Sequence, residues 1–336
     1  MSKIKFNLLM VRFKKNYKLY FSQVRKHTLW MLSLFIIVLI ITEFYPKQKK
    51  KIEVSPNMSA KQVGKMLKKE KLILDEEIFR WMIYFTMSEK KIKPGYYELS
   101  FSLTTLPIIY ELTRGTKPIK VTIPEGFTVE QIAARLYEKG VISDPIELIT
   151  YVKTKNLEGY LFPETYFFDY KQNVRSVVEK MVKEFYKNYT EEFSKRAYEL
   201  KLTTHQVVTL ASIIEKEAKT YDEKMIISGV FHNRLKKNWY LESCATVRYA
   251  LNKFKEPLTY KDLQVNSPYN TYKRLGLPPN PICNPGLDSI KAALYPQQTD
   301  AMFFFTTNNN THIFSRYYNQ HLQKQKDIKN GKKNKN

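Results

Sequence analysis

The strongest hydrophobic signal in the chain is an uninterrupted apolar run near its N-terminus. Leu29–Thr42 (LWMLSLFIIVLIIT) carries no charge, and together with His27 and Thr28 it reaches sixteen residues. A helix that spans a bilayer needs about 20 residues, so this length would also suit a signal-peptide core or a buried helix. The segment that follows, Glu43–Pro46, lacks the small residues of a cleavage site. The pattern therefore predicts a single-pass anchor over residues 29–45.

Two later stretches repeat one order of polar and apolar positions at an offset of 69 residues. A short strand at Ile52–Val54 precedes a capping box that begins at Ser59, and Val121–Ile123 precedes another that begins at Thr128. Matching residues continue the offset: Leu67 and Leu136, Ile73 and Ile142, Asp75 and Asp144, Pro94 and Pro163, Tyr97 and Tyr166. This constant spacing predicts two β-α-α-β units. The alternative is a chance likeness between two simple motifs.

The remaining pattern is mostly helical. Val174–Lys201 has apolar residues at helical spacing and predicts one surface helix. Gln206–Lys219 is almost wholly apolar up to Glu215, which predicts a helix buried on most sides. Ile227–Lys236 and Asp288–Ala293 predict further helices, and Ala301–Thr307 predicts a buried strand. The predicted fold class is α+β, with an N-terminal transmembrane helix, a β-α-α-β unit and a mixed α/β domain.

The placement of charge narrows the choice of partners. The 336 residues are 43% hydrophobic and 26% charged, and their net charge is +24. Seventeen of those charges come from residues 1–28, 47–51 and 324–336. A nucleic-acid-binding protein would carry them on its folded surface, so no nucleic-acid partner is predicted. The basic residues 1–28 predict a cytoplasmic N-terminus, with the chain beyond Pro46 outside the cytoplasm, and residues 324–336 predict a disordered basic tail.

The two cysteines, Cys244 and Cys283, leave two alternatives open. A disulfide fits a compartment outside the cytoplasm, and two buried free thiols fit equally well. The pair lacks the further ligands of a zinc site, so the sequence predicts no metal. Phosphate-binding glycine loops and dinucleotide fingerprints are also missing from the sequence, and no cofactor is predicted.

Glu215 is the acid whose position suggests catalysis. A carboxyl group at the end of a buried apolar helix must be paired or protonated, and burial moves its pKa towards the range where it can donate a proton. The structural alternative is an ion pair with Arg234 or another base of the following helix. Glu217 lies about 200° further around the helix, so the two acids cannot share one site. Its lysine neighbours Lys216 and Lys219 predict a solvated face for Glu217.

Eight collinear strings resemble the endolytic murein transglycosylases of the YceG-like family. They are Glu158–Thr165 (EGYLFPET), Ala211–Glu217 (ASIIEKE), Val230–Leu235 (VFHNRL), Ser267–Tyr272 (SPYNTY), Gly276–Pro279 (GLPP), Asn284–Gly286 (NPG), Ser289–Ala293 (SIKAA) and His312–Ser315 (HIFS) followed by His321. The resemblance implies a catalytic domain over residues 120–323. Residues 52–115 are similar in element order to LysM-type glycan-binding modules.

The resemblance implies a specific reaction on peptidoglycan. The bond between N-acetylmuramic acid and N-acetylglucosamine would be cleaved within a glycan strand, leaving a 1,6-anhydro end. Because the substrate's own C6 hydroxyl attacks, one carboxyl group can serve as acid and then as base. The resemblance assigns that role to Glu215. It also implies that the enzyme ends the elongation of nascent strands at the membrane, beside the synthetic machinery.

Five residues are predicted to bind the glycan strand: Asn270, Tyr272, Glu158, Glu217 and Ser243. Two positions depart from the family pattern. Cys244 stands where the family usually has Asp, and Asn280 stands where it usually has Gly. Two other functions stay open at this point. One is a membrane-anchored glycan-binding protein without activity, and the other is a hydrolase that uses Glu215 with a second acid such as Glu164 or Glu242.

Overall fold

The computed structural model describes residues 24–34, 36–37, 49–102, 104–254, 256–307 and 311–333. Residues 24–34 and 36–37 are helical, while most of the predicted anchor's C-terminal half lies outside the described residues. Within the described part of the chain, no helix combines the length and the apolar character that crossing a membrane requires. The chain divides into two compact units, Met1–Thr116 and Lys117–Asn336.

The first unit is built on a two-stranded antiparallel sheet. Strands β1 (Lys50–Val54) and β2 (Gly95–Leu99) pair with Ile52 opposite Tyr97. Helices α1 (Ala60–Lys69) and α2 (Glu76–Phe85) connect them, and α3 (Leu106–Arg114) follows. Their shared core includes Val63, Leu67, Phe79, Ile83 and Leu112. Here the burial of apolar side chains from helices and sheet together stabilises a small domain.

The second unit begins with the same topology, which confirms the predicted repeat. Strands β3 (Ile119–Thr122) and β4 (Thr165–Phe168) pair with Val121 opposite Tyr166, at the expected offset from the first unit. Helices α4 (Val129–Glu138) and α5 (Pro145–Thr154) lie between them. Both predicted capping boxes form, with Ser59 and Thr128 each accepting from the backbone N–H three residues on.

The region predicted as a single surface helix is two helices. Helix α6 (Val174–Asn188) ends at Tyr189, and α7 (Glu191–Glu199) begins after Thr190, whose hydroxyl accepts from the N–H of Phe193. The threonine satisfies a backbone donor, which explains why a new helix begins here although the apolar periodicity continues. The hydrophobic core is continuous across this junction, because it contains Phe185, Tyr189 and Phe193.

The centre of the second unit is helix α8 (Thr204–Glu217). Its residues from Val207 to Ile214 are all buried, as predicted. It packs against α9 (Tyr221–Lys236) and α11 (Leu287–Leu294), while the short helix α10 (Cys244–Leu251) lies beyond its C-terminal end. The C-terminal turn of α8 is thereby fixed by three other helices.

The strand predicted as buried is a half-exposed hairpin. Strands β5 (Phe303–Thr306) and β6 (His312–Ser315) form an isolated antiparallel pair, followed by α12 (Tyr318–Lys333). Phe303, Phe304 and Phe305 are each partly exposed because a two-stranded sheet cannot cover both of its faces. The result is a mixed α/β structure with small two-stranded sheets.

Candidate active site

The last turn of helix α8 places two carboxyl groups on different sides of one helix. The helix begins with a capping box between Thr203 and Gln206 and ends at Glu217. Its N-terminal three turns are anchored in the core, so the position of the last turn is determined by packing. A negative charge at a helix C-terminus is unfavourable, and each of the two acids therefore needs local compensation.

Glu215 is compensated by a dense set of donors. Its Oε2 accepts hydrogen bonds from the Ser289 hydroxyl at 2.6 Å and from the Gly286 backbone N–H at 3.1 Å. The Lys224 ammonium lies 3.2 Å from the same oxygen and 3.3 Å from Oε1. The side chains of Glu215 and Lys224 are only 9% and 4% exposed. These contacts hold the Glu215 carboxyl group in a fixed position.

A second acid shares the same lysine. Glu125 lies 3.8 Å from Lys224, and burial together with the Glu215 charge raises the pKa of Glu125. A Cβ atom at residue 286 would lie 1.9 Å from a Glu125 carboxylate oxygen, so a larger residue there would require the Glu125 side chain to move. The Glu125 side chain is itself 51% exposed, so this cluster of charges and backbone groups reaches the protein surface at Glu125.

Glu217 has a different environment. It accepts a hydrogen bond from the Ser243 hydroxyl and another from the backbone of Ala245. No lysine or arginine forms an ion pair with it among the described residues. Burial raises the pKa of Glu217 above its ordinary value, against the lowering effect of the Ser243 hydrogen bond. The prediction of a solvated face for Glu217 is therefore wrong, because the fold brings Ser243 and α10 over this side of the helix.

Glu217 lies where two cavities meet. A cavity of 810 Å³ is lined by Glu217, Arg234, Tyr272 and the hairpin phenylalanines, and one of 290 Å³ is lined by Glu217, Lys216 and Arg248. Cys244 also contributes to both walls. Glu215 is absent from the walls of both. Of the two acids, Glu217 is the one that lines these two cavities.

Ser243 is positioned by a strained turn. The preceding residue, Glu242, has a left-handed backbone with φ of 51°, and its N–H donates to the Thr271 carbonyl at 3.1 Å. The Ser243 N–H donates to the Thr271 hydroxyl at 3.0 Å. Both contacts fix the backbone, which leaves the buried Ser243 hydroxyl free to donate to Glu217.

Tyr272 and Asn270 occupy one loop but have different roles. Tyr272 lines the 810 Å³ cavity, and its hydroxyl lies 3.1 Å from Cys244 Sγ. Asn270 is fully buried; its amide donates to the carbonyls of Leu263 and Val265, and its Oδ1 accepts from the Tyr272 N–H. All of the Asn270 contacts are to its own loop, so the structure places it behind the cavity wall as support for Tyr272.

Glu158 lies on a third cavity of 470 Å³, lined by Lys153, Tyr249, Phe254 and Asn280 among others. Tyr249 and Phe254 also line the 290 Å³ cavity, so the two adjoin. Burial raises the pKa of Glu158 to about 8. The structure thus brings Glu217, Ser243 and Tyr272 together and places Glu158 at a distance along the same series of cavities.

Comparison with known proteins decides the family. The model of the YceG-like family matches residues 52–327, which is most of the chain. The chain belongs to the YceG-like family. A Bacillus subtilis (strain 168) protein named endolytic murein transglycosylase is 32% identical over 297 residues, covering 80% of this chain and 82% of that protein.

Two further relatives extend the comparison. A Streptococcus pneumoniae serotype 2 protein with the same name is 28% identical over 295 residues, which cover 75% of this YceG-like chain and 53% of the pneumococcal protein. A crystal structure of a yceG-like protein from Listeria monocytogenes superposes with a TM-score of 0.54 at 34% identity. The match covers 82% of this chain and 99% of that one.

Several side chains of the site in this YceG-like chain were not predicted from the sequence. The base that pairs with Glu215 does come from the following helix, but it is Lys224; Arg234 pairs with Glu242 at 3.0 Å and donates to the Met302 carbonyl. Lys224 sits among charged residues at the start of α9, where no sequence signal distinguishes it from a solvated lysine. Trp239 also lines the cavity, on a loop without any periodic pattern.

The structure describes both cysteines and the residues that could hold a metal ion. Both cysteines are free thiols, Cys244 exposed and Cys283 buried. The Tyr272 hydroxyl lies 3.1 Å from the Cys244 thiol. Within the described ranges, no group of His, Cys, Asp and Glu side chains is arranged to hold a metal ion.

Proposed function

We propose that this chain is an endolytic murein transglycosylase in which Glu217 is the general acid and base. Membership of the YceG-like family and the two relatives named endolytic murein transglycosylase support the reaction class. The observation that carries the assignment of the acid is the placement of a desolvated, unpaired carboxyl group on the wall shared by two cavities.

The proposed reaction needs one carboxyl group in two protonation states. Protonated Glu217 donates its proton to the glycosidic oxygen as the bond from C1 of the muramic acid breaks. The resulting Glu217 carboxylate then accepts the proton of the C6 hydroxyl, whose oxygen bonds to C1 and closes the 1,6-anhydro ring. No water is consumed, and the intramolecular attack has a high effective concentration.

The surroundings of Glu217 support both halves of this cycle. Burial stabilises the neutral acid before the bond breaks, and the Ser243 hydroxyl stabilises the carboxylate afterwards. Glu215, which the sequence resemblance put forward as the acid, has its carboxylate already occupied by Lys224, Ser289 and Gly286. We assign it the role of holding the end of α8 in place.

The test compares Glu217→Gln with Glu215→Gln, which make the same substitution on the same helix turn. Full-length protein is incubated with uncross-linked glycan strands, and the products are identified by mass. Loss of internal 1,6-anhydro fragments only in Glu217→Gln supports the proposal. Loss in Glu215→Gln, with the fold intact and Glu217→Gln active, would return the acid to Glu215.

The same experiment addresses the two rival functions. Products heavier by one water would have reducing ends and would indicate hydrolysis, with Glu242 as the second acid on the wall of the 810 Å³ cavity. Glu164 is exposed and lines none of the three cavities. Strand binding without any cleavage by the wild-type protein would indicate a glycan-binding protein.

We further propose where the enzyme acts. Residues 29–45 would anchor the chain in the cell membrane, with residues 1–28 in the cytoplasm and the domain at 120–323 outside, beside the enzymes that synthesise nascent strands. The apolar run and the asymmetry of positive charge support this orientation. External protease should digest the catalytic unit in spheroplasts and leave an N-terminal tag protected; digestion of the tag would refute the orientation.

The unit at 52–115 is proposed to bind glycan as a LysM-like module. Its β-α-α-β core and its exposed aromatic side chains, Trp81 and Tyr84, support the proposal. Replacing both aromatic residues with alanine should weaken binding of the full chain to peptidoglycan strands. Unchanged binding would remove this unit from the substrate path.

A further inference from the structure

The 470 Å³ cavity contains a buried polar group with an unused hydrogen-bonding atom. Glu158 is 5% exposed, and its Oε1 accepts from the Val129 N–H at 3.0 Å and from the Asn284 amide at 3.4 Å. Its Oε2 is buried and has no hydrogen-bond partner among the described residues. An unsatisfied buried oxygen of this kind is costly, and it belongs to a residue that lines the 470 Å³ cavity, which points to a missing ligand.

The volume and walls of the cavity fit one sugar unit. Ligand sites in proteins usually have volumes of about 300–1,000 Å³, and this cavity lies within that range. Tyr249 and Tyr269 lie on its wall with ring centroids 4.9 Å apart, beside Phe254. Aromatic faces of this kind pack against the apolar face of a sugar ring. Asn280 adds an amide group, held by its contact with the Tyr269 hydroxyl at 3.4 Å.

The charges of the cavity select a neutral ligand. Lys153 and Glu130 form an ion pair at 2.8 Å and balance each other. Glu158 adds no net charge at neutral pH because burial raises its pKa to about 8. The adjoining 290 Å³ cavity, by contrast, presents the cations Lys216 and Arg248 beside Glu217. In a peptidoglycan strand, the stem peptides that carry carboxylates are attached to every second sugar only.

We propose that the 470 Å³ cavity is a distal subsite for a peptide-free N-acetylhexosamine of the strand, whose acetamido carbonyl accepts a hydrogen bond from Glu158 Oε2. This inference rests on the proposed function. Asn280 lines the same cavity, and its amide faces the same sugar. The subsite adjoins the wall of Glu217 through Tyr249 and Phe254, so it binds a sugar beyond those at the cleaved bond.

The first test measures strand binding in full-length Glu217→Gln protein, which keeps the substrate intact. The probes are peptide-free glycan strands of long and short length. Adding Glu158→Met removes the donor but keeps a side chain of similar size, and the dissociation constant for long strands should rise about tenfold, or about 1.4 kcal/mol. Adding Glu158→Gln instead keeps an N–H donor at this position, so binding should stay within about threefold of the parent.

A structural role for Glu158 predicts a different pattern. Loss of its contact with the Val129 N–H would lower the melting temperature and weaken the binding of long and short strands equally. The subsite predicts a loss confined to strands long enough to reach it. If Glu158→Met fails to fold, Asn280→Ala tests the subsite instead. Asn280 is partly exposed, so this substitution should leave the fold intact and weaken the binding of long strands only.

A chemical probe checks the acetamido contact directly. N-acetylated and de-N-acetylated oligosaccharides of equal length should bind with a larger difference to the parent protein than to the Glu158→Met variant. Equal discrimination by both, or unchanged long-strand affinity in Glu158→Met and Asn280→Ala, would overturn the subsite. Neither outcome affects the proposed function, which fails separately if wild-type protein leaves strands uncleaved.

Discussion

Glu215 and Glu217 lie two residues apart on one helix and have opposite environments. Glu215 contacts an ammonium, a hydroxyl and a backbone N–H, and it lines neither the 810 Å³ nor the 290 Å³ cavity. Glu217 meets a hydroxyl and a backbone group, and it lies on the walls of two cavities. The difference teaches that burial alone does not mark a catalytic acid. In the proposed assignment, the features that single out Glu217 are the absence of a compensating base and its place on the cavity walls.

The largest expected effect is the loss of catalytic rate on replacing Glu217, the acid without a compensating base. Glu217→Gln removes the proton donor and keeps the shape, so kcat should fall about 10⁴-fold. The melting temperature should change little. The measurement is the rate of 1,6-anhydro product formation by purified full-length protein. A variant that retains more than a tenth of the wild-type rate would contradict the contrast between the two acids.

Glu215→Gln should affect folding more than chemistry. The change leaves Lys224 with a weaker partner inside a buried network, and breaking a buried ion pair costs about 3–5 kcal/mol of the free energy of unfolding. Urea unfolding measures this loss. Lys224→Met in the same background should recover part of it, because the uncompensated charge is then gone. No recovery would mean that Glu215 and Lys224 do not act as a pair.

Glu158 extends the comparison to a third acid, which also lacks an ion pair. Its folded pKa of about 8 exceeds the unfolded value, so the folded protein binds the extra proton and is stabilised fully below about pH 4.5. This contribution is lost as the pH rises to about 8, and its upper limit between pH 5 and pH 8 is about 3.5 kcal/mol. Unfolding by urea across this range should show the decline, and Glu158→Gln should flatten it. A decline of equal size in the variant would assign the effect to other groups.

The smallest expected effect is a shift of the pH–rate profile when Ser243, the hydrogen-bond donor to Glu217, is replaced. The Ser243 hydroxyl lowers the pKa of this acid, so Ser243→Ala should raise it further. Because the acid must be protonated to act, activity is lost as pH rises through its pKa, and the descending limb of the pH–rate profile should move to higher pH. The lost hydrogen bond is worth about 1–3 kcal/mol. A limb that stays in place would separate Ser243 from the acid.

Much of the fold could be predicted from sequence because its signals are local. The offset of 69 residues, both capping boxes and the buried face of α8 follow from the spacing of neighbouring side chains, and the structure has them at the expected residues. The break at Thr190 and the half-exposed hairpin were missed. In both, the outcome depends on what packs against the segment, which periodicity does not contain.

The candidate site divides in the same way. By itself, the sequence determined the family resemblance, the helix that carries the acids and the set of loops around it, since each is written in contiguous residues. Only the tertiary structure decided which acid faces the cavities. Lys224 and Ser289 reach Glu215 from 9 and 74 residues further along the chain, and Ser243 reaches Glu217 from 26 residues away. The environment of a carboxyl group is set by such distant partners, because charge compensation and desolvation act through space and not along the sequence.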